Sequence, residues 1–152
     1  MYIKQLEIDN FKSFANKVDI PMLQGFTTIS GPNGSGKSNI IDSILFALGL
    51  STSRTLRAEK LFHLISTYNK RNEAFVKVTF GETEDGDFSV ARRIRKSSQG
   101  FNSIYYLDDK IATLSDIHAK LEKYNITPNS YNVMMQGDVM SITNCTPGER
   151  RK

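Results

Sequence analysis

The sequence predicts an α/β fold that is incomplete by itself: a mixed sheet with antiparallel hairpins built around one strand–helix unit. Three observations predict it. An apolar, β-branched stretch at 26–30 (FTTIS) runs through a glycine-rich loop into a helix-patterned segment at 37–48. A series of hairpin signals follows, rather than alternating strands and helices. Finally, there are too few crossover helices to cover both faces of a parallel sheet. The strand before the loop would therefore keep an unpaired edge unless another segment covers it.

Taken in order, residues 2–9 (YIKQLEID) alternate apolar Ile3 and Ile8 with polar neighbours and read as a strand. A second extended stretch at 16–20 is expected to stop at Pro21, and 26–30 to form a short strand into Gly31. From Lys37 to Leu48, the residues Ile40, Ile41, Ile44, Leu45 and Leu48 make one helical stripe, with Gly49 placed to end it. The polar, basic residues 51–60 read as a loop. Strands at 75–80 and 87–95 flank Glu84-Asp85-Gly86, a hairpin signal. Turns at 97–100 and 108–110 bracket a strand at 102–107. Thr113 or Ser115 is expected to cap a helix around 116–124. Thr146, Pro147 and Glu149 form a capping box that opens another helix, so the expected division is a lobe at 1–145 and a truncated helix start at 146–152.

Composition narrows the function classes. The chain has 152 residues and a net charge of +4, too mild to mark a nucleic-acid binder alone. Cys145 is the single cysteine, which excludes an intrachain disulfide framework and a CxxC zinc site. His63 and His118 are the only histidines, so a His/Cys metal centre is not expected. No apolar run approaches the roughly 18 residues of a membrane span, and Met1–Gln5 lacks the apolar core of a signal peptide. The expectation is a soluble, intracellular chain in a reducing compartment.

The strongest chemical signal is Gly31-Pro32-Asn33-Gly34-Ser35-Gly36-Lys37-Ser38, which fits G-x-x-x-x-G-K-[ST]. Its glycines let backbone N–H groups turn inward around phosphate oxygens. Lys37 supplies an ammonium to the outer phosphates, Ser38 a hydroxyl to Mg²⁺, and the helix points its positive end at the same anions. In a chain of this composition, chance supplies roughly 0.01 such matches. A nucleoside triphosphate is the ligand implied.

A phosphate loop alone hydrolyses little; an aspartate at the end of an apolar strand and a water-positioning residue are also needed. The local candidate is Ile104-Tyr105-Tyr106-Leu107-Asp108-Asp109. Because Lys110 and a fresh extended stretch follow at once, the two aspartates read as hairpin-tip residues. A Mg²⁺-holding aspartate is the alternative, and would suit a free-standing P-loop kinase.

The blocks around the loop resemble the N-terminal half of the head domain of SMC (structural maintenance of chromosomes) ATPases. Ile8–Phe14 is similar to that family's opening strand, Gly31–Asn39 to its Walker A, and Ser53–Ala58 to its arginine loop. Val133–Val139 resembles its Q-loop, and Thr146–Arg151 the start of its outgoing coiled coil. The resemblance implies an ABC-type head whose Walker B and signature motifs lie in a C-terminal lobe. It also implies roles for named residues. Pro32, Asn33, Gly34, Ser35, Gly36, Lys37, Ser38 and Asn39 would hold ATP, with Lys12 and Ser13 beside the adenine and ribose and Arg57 on the phosphates. Ser38 and Gln136 would bind Mg²⁺; Lys37 and Gln136 would be catalytic, Gln136 lying near the attacking water. Partners implied are the C-terminal lobe, a second SMC head, a kleisin-type subunit and DNA, with no membrane. A cytoplasmic, chromosome- or nucleoid-associated location is implied too (nuclear in a eukaryote). RecF, RecN and the zinc-hook repair ATPase share the loop and the split plan. ABC transporter subunits usually carry Thr-Leu where this chain has Asn39-Ile40.

Other residues have plainer readings. Arg92, Arg93, Arg95 and Lys96 form the densest basic cluster, an ordinary exposed face or a DNA-phosphate patch. His63 reads as packed, His118 as surface, Cys145 as a space-filler, and Met134, Met135 and Met140 as core.

Overall fold

The structure, a computed structural model, describes residues 1–50, 56 and 58–127. Six strands form one sheet: β1 (Tyr2–Asp9), β2 (Val18–Pro21), β3 (Glu73–Gly81), β4 (Phe88–Ser97), β5 (Gly100–Leu107) and β6 (Lys110–Ala112). Helix α1 (Lys37–Leu48), a single 3₁₀ turn (Leu61–Leu64) and helix α2 (Leu114–Glu122) complete it. Strand order is β2-β1-β3-β4-β5-β6, with every pairing antiparallel.

The register follows the period-two pattern. Along β3, Ala74, Val76, Val78 and Phe80 are buried and alternate with half-buried Glu73, Phe75, Lys77 and Thr79. Opposite them on β4, Phe88, Val90 and Ile94 face the same core, with Val78 directly across from Val90 and Phe80 from Phe88. Helix α1 packs its C-terminal half there: Ile44 through Leu48 are all buried, and the Phe11 and Phe46 rings sit 5.1 Å apart. Gly49 ends the helix in the left-handed conformation, as expected, its N–H turned back to the last turn's carbonyls.

Turn chemistry also acts as read. Gly86 has φ 87° and its N–H donates to Thr83 O. Asp108 and Asp109 both have positive φ, the signature of a type I′ hairpin. Thr113, not Ser115, caps α2, and Asp116 completes a capping box. The helix therefore starts at Leu114, two residues before the expected position.

Two strands differ from expectation. The second is 18–21 rather than 16–20, and Pro21 is its last residue, paired with Gln5. It lies on the sheet edge, where a missing N–H removes no ladder bond. The larger difference is 26–30, which is irregular and lies outside the sheet. Its β-branched residues favour a strand only when another strand accepts their backbone hydrogen bonds, and among the described residues none does. The capping box at 146–149, Cys145 and the methionines at 134, 135 and 140 lie outside the described residues.

Candidate functional site

The glycine-rich loop ends on the N-terminus of α1. Gly36 is the N-cap, in the left-handed region at φ 92°, and Gly34 has φ 83°. A side chain on Gly36 would place its Cβ 2.8 Å from Ser13 Oγ, whereas a Cβ on Gly34 would meet open space. Both glycines are thus required by backbone conformation, and Gly36 in addition lies close against Ser13. Gly31, Pro32, Asn33, Gly34 and Ser35 are all exposed.

Charge is arranged for an anion. The first turn of α1 carries no acidic residue and Gly36 provides no side-chain cap, so no side-chain charge there offsets the positive end of the helix dipole. Lys37 Nζ arches back over the loop and donates to Gly31 O and Pro32 O, both at 2.7 Å. Ser35 N donates to Pro32 O at 3.3 Å, closing the loop's turn. An exposed loop with a positive helix end and a lysine at its mouth fits a triphosphate. Ser38, on the first turn, is the hydroxyl that fits Mg²⁺. Among the described residues no cluster of three or more His, Cys, Asp or Glu could hold a metal.

The turn after β1 meets this loop directly. Asn39 Nδ2 donates to Ser13 Oγ at 2.9 Å, so Ser13, Gly36 and Asn39 converge. Lys12 turns the other way. Its ammonium lies 2.5 Å from Asp42 Oδ2 and 2.7 Å from Leu56 O, pointing inward rather than toward the loop mouth. Asp42 was not singled out in the sequence. The available signal was a carboxylate between Ile41 and Ile44, one turn after Ser38, where burial demands a cationic partner. Arg57 and Gln136 lie outside the described residues.

The hairpin aspartates are committed elsewhere. Asp108 Oδ1 accepts from Ser89 N at 2.8 Å, and both Asp109 oxygens accept from Lys77 Nζ at 2.8 and 2.9 Å. They are turn residues, which removes the basis for a kinase built on them. The basic cluster also divides. Arg92 is buried, its guanidinium 4.6 Å from the rings of both Phe46 and Tyr105, and it donates to Ser103 Oγ and, at 3.3 Å, to Phe46 O. Burial pulls its pKa down and pushes the Tyr105 hydroxyl up. Arg93 lies over Phe75 and Tyr106 on the opposite face, and Arg95 is 3.6 Å from Glu73. Lys96 lines a cavity of about 450 Å³ with Phe62, His63, Lys70, Arg71 and Asn72.

A glycine-rich phosphate loop and its helix, set on a sheet that is antiparallel throughout the described residues, define the N-terminal lobe of a P-loop ATPase head. Residues 2–140 match the RecF/RecN/SMC N terminal domain. The Chromosome partition protein Smc of Gloeobacter violaceus is 48% identical over 155 residues, covering all of this chain and 13% of that protein. A structure from work on ATP-driven dimerisation and DNA-stimulated activation of SMC ATPases superposes with TM-score 0.86 at 38% identity, covering 99% of this chain and 96% of that one. An Smc head bound to the C-winged helix domain of ScpA gives 0.87 at 37% identity, covering 97% of this chain and 48% of that one. The chain belongs to the RecF/RecN/SMC N terminal domain family, on its SMC side. It spans about an eighth of the length of the Gloeobacter relative.

Proposed function

We propose that this chain is the ATP-binding half of an SMC head, which a C-terminal lobe completes and a second head engages to hydrolyse ATP in chromosome partition. The observation that carries the reading is the state of residues 22–36. They end in an exposed phosphate loop, yet the stretch leading into it presents Leu23 at 83%, Phe26 at 94% and Ile29 at 42% exposure. Strand-forming residues left this exposed, next to a loop that needs rigid support, suit a strand whose neighbours come from another lobe.

In this reading the N–H groups at 33–38 and the start of α1 bind the phosphates. Lys37 leaves its loop carbonyls to neutralise the outer phosphates, Ser38 offers its hydroxyl to Mg²⁺, and Asn39 and Ser13 hold the loop against the turn after β1. Arg57 approaches the phosphates, and Gln136 orients the attacking water. Mg²⁺ supplies charge neutralisation on the phosphate oxygens. The hydrolytic carboxylates come from the C-terminal lobe, so this chain alone turns over negligibly.

Its relatives support the wider assignment: the Gloeobacter protein is a chromosome partition protein, and one solved Smc head is bound to the C-winged helix domain of ScpA. A kleisin-type subunit, a second head and DNA are the partners, with Lys70 and Lys96 beside the cavity as cations available to phosphate. The location follows as chromosome- or nucleoid-associated.

The test is steady-state ATP turnover by the chain alone and mixed with a C-terminal head fragment. Negligible turnover alone and cooperative turnover in the mixture are expected; robust hydrolysis by the chain alone would refute the half-domain reading. In the mixture, Lys37→Ile should abolish ATP binding measured by calorimetry, and unchanged affinity would remove the loop from the mechanism.

A further inference from the structure

We propose that Lys12 is a positioning residue of the nucleotide site, a clamp that fixes the chain at Leu56 to the phosphate-loop helix; this deepens the ATP-binding reading and rests on it. The backbone of Lys12 is itself pinned. It sits in the left-handed region at φ 48°, and its N–H donates to Leu64 O at 2.8 Å. The side chain then runs inward, only 15% exposed, to an ammonium held between Asp42 Oδ2 and Leu56 O.

Each acceptor leads to a different part of the site. Asp42 is fully buried, four residues after Ser38 and therefore on the same face of α1, one turn beneath the hydroxyl assigned to the cation. Leu56 is fully buried, and the next residue in the chain is Arg57. One ammonium thus neutralises a carboxylate below the phosphates and holds the carbonyl just before the arginine assigned to them. A buried carboxylate without that cation would set negative charge behind a triphosphate site. Loss of the Leu56 contact would free the backbone one residue before Arg57. Lys12 acts through these two neighbours rather than on the nucleotide.

The test uses the complete two-lobed protein and the matched pair Lys12→Met with Asp42→Asn, which removes both charges of this contact together. The pair is expected to lower kcat about tenfold, with KM for ATP within about twofold of the parent. In an Arg57→Ala background it should cause no further loss, because both changes break one link. An unchanged kcat, a raised KM with kcat intact, or losses that multiply with Arg57→Ala would each overturn the clamp. The Lys37→Ile protein, assayed alongside for ATP binding, separates the two levels. Intact binding there removes the underlying reading and the clamp with it. A silent Lys12/Asp42 pair beside a Lys37→Ile protein that cannot bind ATP removes the clamp alone.

Discussion

Phe46 and Phe26 are the same residue type in two regions of one chain, and they meet opposite fates. Phe46 is fully buried between Phe11 and Arg92, inside a body whose strands pair with one another. Phe26 is 94% exposed on a segment that pairs with nothing among the described residues. Both segments are apolar and β-branched or helix-forming in the right pattern, so intrinsic preference does not separate them. What separates them is whether the hydrogen-bond partners lie within the same stretch of chain. Antiparallel hairpins bring their partners along within a few residues, whereas a parallel strand must wait for a distant one.

The sharpest way to break this contrast is at its buried pole. Phe46→Ala should destabilise the lobe by about 3–5 kcal/mol, read as a lowered urea midpoint at unchanged slope. A shift below about 1 kcal/mol would mean that the sheet and α1 do not share one core. Gly36→Ala tests the junction between the regions. It forces an L-residue into the left-handed region and sets a Cβ 2.8 Å from Ser13 Oγ. The expected cost is about 1–2 kcal/mol, with loss of the Asn39–Ser13 contact visible in amide chemical shifts.

Acid sharpens the contrast by a smaller amount. The Lys120 ammonium holds the Asp85 carboxyl below its ordinary value, Lys4 does the same for Asp87, and the Thr113 hydroxyl for Asp116. A carboxylate held low in the folded state stabilises it above the ordinary value of 3.8 and loses that contribution as pH falls through the depressed one. Carboxyl NMR titrations should place all three midpoints below 3.8, and stability should fall with pH in that window. Residues 22–36 contain no carboxylate, so the body should respond to acid while the loop segment does not. Smallest of all, Phe26→Ser should change the stability of this chain by no more than about 0.5 kcal/mol. The same substitution should weaken capture of a C-terminal head fragment, measured by calorimetry.

Most of the body was legible because its signals are local. The β3–β4 and β5–β6 turns announce themselves in Glu84-Asp85-Gly86 and Asp108-Asp109, and the α1 stripe in the spacing from Ile40 to Leu48. The phosphate loop was legible because its glycines, lysine and serine are fixed by phosphate geometry. Two features were not. The strand at 26–30 was read from propensity, which carries no information about whether a partner strand is at hand. Arg92 was read as part of a basic surface because three cations lie within four residues of it. Alternation along β4 put it on the core side with Val90 and Ile94, where two aromatic rings and a helix carbonyl receive it.

That buried arginine has a mechanical meaning. Its contact with Phe46 O anchors the far end of α1 to the sheet, while Lys12 grips the same helix at its middle, through Asp42. A rod fastened at two points along its length cannot slide independently. Any nudge delivered at the loop reaches the six-stranded slab as a tilt of the whole piece, and the slab becomes the lever through which the loop is felt at a distance.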